Sequence, residues 1–110
     1  MSQIPSKIDG LGRREATTVA TATTQRAFAT LGGTEPPRRK AVNLNNLDLS
    51  AEIYVTLAPT GSSAPTVSST DNDVIVPARS SRQFQIGPGI DLWLRSSSNG
   101  SVAYTALELV

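Results

Sequence analysis

The chain has 110 residues, of which 38% are hydrophobic and 17% are charged, and its formal net charge is +1. It contains neither Cys nor His, which excludes disulfides, thiolate chemistry and metal sites built from these residues, and removes the usual general base near neutral pH. We therefore expect one small domain that is not an enzyme and that holds no cofactor or metal ion.

The basic residues are concentrated at the start of the chain. Residues 1–40 carry seven basic and three acidic side chains, a net charge of +4, whereas residues 41–110 carry three basic and six acidic ones, a net charge of −3. Opposite net charges allow the first segment of one subunit to dock on the body of another subunit, or on some other acidic surface.

Residues 1–37 are predicted to form an extended N-terminal arm, because large apolar residues are sparse among them. A short helix over residues 24–31 is one option for its second half, with Phe28 on the apolar face, and an added strand over residues 17–23 is another. Alone, the segment would not bury enough apolar surface to offset the entropy lost when it becomes ordered.

Residues 38–110 are predicted to form a β-sandwich body of about six short strands. Apolar and polar residues alternate along them, and turn residues separate them. The strands are expected at residues 39–44, 51–57, 74–76, 82–86, 90–95 and 102–109. The residues expected to face the core are Val42, Leu44, Ile53, Val55, Leu57, Phe84, Ile86, Ile90, Leu92 and Leu94.

The last strand admits two orientations. Either Val102, Tyr104 and Ala106 face the core, or the alternate set of Ala103, Thr105, Leu107 and Leu109 does. Almost no helical pattern remains to cover a parallel sheet, so antiparallel pairing is expected, as in a jelly-roll-like or immunoglobulin-like sandwich. The core is small, and oligomerisation is one usual remedy for that.

Asp71-Asn72-Asp73 resembles part of a calcium-binding loop. Calcium takes six to eight oxygen ligands, usually including a further carboxylate, and none follows at a suitable spacing. We interpret these residues as a polar turn before the strand that begins at Val74.

The candidate site residues are expected to bind a partner rather than a substrate. They are Arg13, Arg14, Phe28, Arg38, Arg39, Lys40, Tyr54 and Trp93. The cations suit an acidic protein surface better than nucleic acid, because no aromatic residues lie between them to stack on bases. Tyr54 and Trp93 fall on the outward faces of their strands, where they would serve an interface or pack under the arm of the same chain.

The body resembles small virion proteins of tailed bacteriophages. The likeness is carried by the run 38–44, by Ile53-Tyr54-Val55-Thr56-Leu57-Ala58-Pro59, and by a strand that ends at Pro77 and is followed by the Gly87-Pro88-Gly89 turn. Within that class, a short sandwich with an arm is similar to capsid decoration (cement) proteins, which staple neighbouring capsid subunits from outside.

This resemblance implies a structural subunit of the virion, assembled in the host cytoplasm. The expected partners are the major capsid protein or other virion proteins, together with further copies of the chain; neither nucleic acid nor a membrane is an expected partner. Two other functions stay open: a receptor- or glycan-binding module of a fibre or spike, and a component of the head–tail connector.

Overall fold

The computed structural model describes residues 10–19, 24–29, 38–97 and 101–110, and these form eight β-strands without an α-helix. The strands are β1 (Leu11–Val19), β2 (Gln25–Arg26), β3 (Ala41–Asn46), β4 (Ile53–Pro59), β5 (Val74–Val76), β6 (Ser81–Phe84), β7 (Ile90–Ser96) and β8 (Val102–Leu109). Within these ranges, no helix has the length and apolar character needed to cross a membrane.

The strands form two antiparallel sheets of four strands each. The first sheet has the order β1-β8-β3-β6 and the second has the order β2-β7-β4-β5. The chain thus pairs its first strand with its eighth, its second with its seventh, its third with its sixth and its fourth with its fifth. This nesting of antiparallel pairs across two sheets is the arrangement of a jelly roll. The predicted all-β sandwich is confirmed.

The hydrophobic core lies between the sheets and follows the alternation of the sequence. Leu44, Ile53, Val55 and Leu94 are fully buried at alternate positions of the central strands, as expected. In β8 the structure selects the first of the two orientations, because Val102, Tyr104 and Ala106 are all fully buried in the core. The alternate set of this strand therefore lies on the outer face of the first sheet.

The described part of the predicted arm pairs with strands of the body. β1 pairs with β8 from Leu11 to Val19, and β2 pairs with β7 through Gln25 and Arg26. Both are edge strands of the sandwich, and they account for the difference between eight strands and the six that were expected. Residues 1–9, 20–23 and 30–37 of the arm lie outside the described residues.

The helix considered for residues 24–31 is not present in the described residues 24–29. Gln25 and Arg26 are extended, and Phe28 has a φ of 68°, in the left-handed region that a helix does not use. The Phe28 backbone N–H donates instead to the Glu15 carboxylate at 2.7 Å. A contact distant in the sequence has therefore overridden the local helical pattern.

Because Leu44 lies in the core and Leu49 lies outside it, replacing each by Ala should change the free energy of unfolding by different amounts. Leu44→Ala should lower the free energy of unfolding by about 2–4 kcal/mol, because it leaves a cavity between the sheets. Leu49→Ala alters a side chain that is 72% exposed, and should change that free energy by less than about 0.5 kcal/mol. Urea denaturation of both variants is the measurement, and equal losses would contradict the described core.

Candidate docking surfaces and the buried polar network

A buried carboxylate joins the two ends of the described chain. Glu108, on β8, is fully buried and accepts hydrogen bonds from Arg13 on β1: from the backbone N–H at 2.8 Å and from Nε and Nη2 at 2.9 Å each. Arg39 adds a further hydrogen bond, with its Nη1 3.1 Å from Glu108 Oε2. A carboxylate inside a sandwich is tolerated only when it is paired in this way.

Arg39 extends the same network to the turn that connects the two sheets. Its Nη2 donates to the carbonyl oxygen of Gly87 at 2.8 Å and to that of Ile90. Arg39 is only 4% exposed. The Gly87-Pro88-Gly89 turn predicted from the sequence is thereby fixed against the residues that precede β3. Gly89 has a φ of 95°, a conformation that residues with side chains rarely adopt.

A second buried carboxylate organises the contact between β1 and β2. Glu15 accepts a hydrogen bond from the Tyr104 hydroxyl at 2.7 Å, besides the one from the Phe28 backbone. The Tyr104 hydroxyl in turn accepts one from Gln25 Nε2 at 3.1 Å. The guanidinium carbon of Arg13 lies 5.0 Å from the centre of the Phe28 ring, within cation–π range.

These contacts shift the ionisation of the buried groups in predictable directions. Burial alone would raise the pKa of Glu108, but hydrogen bonds from Arg13 and Arg39 outweigh it and hold that pKa below its ordinary value. Burial, together with the hydrogen bond to Glu15, raises the pKa of the Tyr104 hydroxyl. Glu108 therefore stays ionised and Tyr104 stays protonated near neutral pH.

Three of the predicted partner-binding residues are engaged inside the sandwich. Phe28 and Arg39 are buried, and Arg13 is held by Glu108. These side chains make contacts within the fold, although 23% of the Arg13 side chain stays exposed. The sequence did not reveal the pairing of the two arginines, because Glu108, which binds both, lies 95 positions from Arg13 and 69 from Arg39.

The other cations of the candidate set lie nearer the surface. Arg14 and Arg38 are exposed, and Lys40 is half-buried beside β8, where its backbone N–H donates to the Leu109 carbonyl at 2.7 Å. The structure therefore divides the predicted basic cluster 38–40 into one internal residue and two outer ones.

Tyr54 and Trp93 lie on the outer face of the second sheet, as the alternation predicts. Both are half-buried; Tyr54 is opposite Arg95 in the strand register, and Trp93 is opposite Thr56. Trp93 Nε1 and Thr56 Oγ1 are buried and have no hydrogen-bond partner among the described residues.

The loop between β4 and β5 covers part of that face. Arg95 Nη1 donates to the Val67 carbonyl at 3.3 Å, and Val67 is fully buried although it is not part of the core between the sheets. Because Arg95 is an outward residue of β7, this contact places the loop across the outer face. The loop ends in the polar turn predicted at 71–73, where Asp71 and Ser68 exchange backbone hydrogen bonds.

The outer face of the first sheet has a different character, and we call it the neutral face. It includes the outward residues Arg14, Ala16, Thr18, Asn43, Asn45, Ser81, Gln83, Ala103, Thr105, Leu107 and Leu109, together with Leu11 and Ala41, which are opposite Leu109 in the register. Arg14 is the one charged residue among them, and it lies on the edge strand β1. Depletion of charge is the compositional mark of the centre of a protein–protein interface.

Sequence reasoning did not select the neutral face, although a signal for it was present. The two possible orientations of β8 were both apolar enough to face a core. A strand with two such faces is typical of a sheet that is covered on both sides. The ambiguity itself was therefore a sequence signal for an outer face of β8 with little charge.

A rigid loop at one end of the sandwich presents two further apolar side chains. Leu47 and Leu49, between β3 and β4, are 53% and 72% exposed. Asp48 between them accepts hydrogen bonds from the backbone N–H groups of Ser50 at 3.0 Å and Ala51 at 2.7 Å, which hold its pKa below the ordinary value. The two leucines are therefore held in place rather than free to collapse onto the protein.

The described residues contain no group of three or more acidic side chains that could hold a metal ion. Comparisons of the chain with protein-family models, with curated proteins and with solved structures found no significant match. The function must therefore be inferred from the surfaces described above.

The buried network predicts a defined dependence of stability on pH. Because folding lowers the pKa of Glu108, its contribution to stability is present above the ordinary carboxylate pKa and is lost as the pH falls through the folded-state pKa. Glu108→Gln should cost about 3 kcal/mol at pH 7, since two arginines lose their ionised partner, and should flatten the decline of stability in acid.

The measurement is the free energy of unfolding between pH 7 and pH 3, obtained from urea denaturation at each pH. Asp71→Asn removes an exposed carboxylate and is the matched control, which should follow the wild type. A Glu108→Gln variant that declines in acid as steeply as the wild type would contradict the assignment.

Proposed function

We propose that the chain is a non-enzymatic structural subunit that docks on a larger assembly through the neutral face. In its most specific form, the proposal is a capsid decoration protein of a tailed bacteriophage, whose partner is the major capsid protein. The observation that carries the proposal is the neutral face itself: four strands wide, with a single charged residue at its margin.

The chemistry of this face suits a large, permanent contact. Leu107 and Leu109 supply apolar surface. Asn45 Nδ2 donates to Thr105 Oγ1 at 2.9 Å across the strands, so part of the polar surface of the neutral face already has hydrogen-bond partners. Burial of such a face against a partner leaves few charges to desolvate. An outward sheet face of a protein that acts alone would be expected to carry more charge.

The fold does not choose between the functions considered. Jelly rolls occur in viral capsid proteins, in lectins and in cupins, so function must be argued from the surface. A glycan-binding site would use an exposed aromatic ring and a free carboxylate. Trp93 is half-buried, and the neighbouring Asp91 is bonded to Thr60 at 3.2 Å and lies 3.8 Å from Arg26. The neutral face therefore favours assembly over adhesion.

The first test places a charge at the centre of the neutral face. Thr105→Glu should reduce co-sedimentation with purified capsid shells at least tenfold, because the carboxylate would be buried without a partner. Ser69→Glu introduces the same charge on the exposed β4–β5 loop, and should bind as the wild type does. Circular dichroism should show that both variants are folded, and equal binding by both would overturn the proposed face.

The second test concerns the effect on the particle. A protein that binds the assembled shell but not its separate subunits stabilises the shell by mass action, by about 2.7 kcal/mol per site at a free concentration one hundred times Kd. Particles with the chain should melt at a higher temperature than particles without it. If particles without the chain melt at the same temperature but no longer attach to host cells, the chain serves adhesion and not assembly. If each particle carries only a few copies of the chain, it belongs to a fibre or to the connector.

A further inference from the structure

The strands β1 and β2 are both edge strands of the sandwich. Each is the outermost strand of its sheet, so the strands from β3 to β8 stay paired with one another when both leave, and only β8 and β7 lose a neighbour. Of the fifteen residues in the buried core cluster, Val19, Ala27 and Phe28 belong to this unit, and the other twelve belong to residues 41–110. We call β1, β2 and the turn that follows β2 the N-terminal unit.

The N-terminal unit has contacts of its own that hold its parts together. The Phe28 backbone donates to Glu15, and the Arg13 guanidinium lies over the Phe28 ring. Both contacts join β1 to the turn after β2 and lie within the N-terminal unit.

Besides strand pairing and its three core residues, specific polar contacts attach the unit to the remaining sandwich. Arg13 is bound by Glu108, and the hydroxyl of Tyr104 lies between Glu15 and Gln25. Tyr104 and Glu108 are both on β8, so every copy of the chain carries the same binding residues for the N-terminal unit. The opposite net charges of residues 1–40 and 41–110 add a general attraction between the N-terminal unit of one copy and the body of another.

The connection to β3 is long enough for the unit to reach a neighbour. Residues 30–37 separate the described end of the unit from Arg38, and eight extended residues span up to about 28 Å. The shortest dimension of the molecule is 24 Å. The connecting sequence includes Gly32-Gly33 and Pro36-Pro37, which do not favour continuation of a helix or strand.

We propose that two copies of the chain exchange their N-terminal units, so that β1 of one copy pairs with β8 of the other and Arg13 binds Glu108 of the other. The occupant of the acceptor edge is a second copy of this chain, because every copy carries the β1 residues that match β8 in register. Such an exchange links two copies without creating a new interface. The residue contacts that form within one chain in the structure form between two chains after the exchange. The proposal concerns the purified chain and does not depend on the identity of the larger assembly.

The absence of Cys makes a direct test available. Thr18 and Ala103 are opposite each other on β1 and β8, and both are exposed on the neutral face. One protein carries Thr18→Cys and a second, tagged protein carries Ala103→Cys. The two are mixed at high concentration, taken through a mild denaturant cycle and oxidised. The exchange predicts a disulfide-linked heterodimer on a non-reducing gel, which diminishes when the mixture is refolded at one-hundredth of the concentration.

The control pair is Thr18→Cys with Ser81→Cys, which lies on the same face but on the opposite edge strand β6. A chain carrying both Thr18→Cys and Ala103→Cys reports pairing within one molecule. Cross-linking within this chain, with no heterodimer above the level of the control pair, would overturn the exchange. Absence of cross-links in both experiments would overturn it as well, because β1 would then not be paired with β8.

Discussion

Glu108 is a negative charge inside a small sandwich, and the positions of both ends of the described chain follow from how that charge is satisfied. Its carboxylate needs cations and hydrogen-bond donors in the dry interior, and Arg13 and Arg39 supply them from segments far away in the sequence. Arg13 fixes β1 beside β8, and Arg39 fixes the entry to β3 against the turn before β7. Replacing this network by apolar residues would preserve volume but would lose the register that it defines.

Because of the strand order of the jelly roll, the pairing of Glu108 also determines which sheet edges are covered. β1 and β2 close one edge of each sheet, so a chain without them would expose the long edge of β8 and that of β7. The basic character of the first 40 residues thus serves the fold itself, since two of its arginines, Arg13 and Arg39, bind a buried carboxylate. In the exchange that we propose, a second copy supplies these strands, and the neutral face keeps the same composition.

Much of the sandwich could be predicted from the sequence, because apolar alternation is a local signal. All six strands expected after residue 38 are present, with Ile53, Val55 and Leu94 inward as predicted. β1 could not be predicted with the same means, because its inward residues include Glu15 and its apolar content is low. Its strand character depends on Glu108 and Tyr104, which lie about 90 residues away. The internal role of Arg39 was hidden for the same reason, since Glu108 lies 69 residues away. The neutral face was visible only as an ambiguity in β8.

The central claim is that the Arg13–Glu108 contact holds β1 in the sandwich, and amide hydrogen exchange tests it most directly. In the wild type, the amides of β1 that pair with β8 should be protected, although less than those of β4 and β7 at the centre of the second sheet. Arg13→Gln should abolish protection in β1 while β4 and β7 stay protected. Exchange in β1 that is as fast in the wild type as in the variant, or a loss of protection that is equal in all strands, would contradict the account.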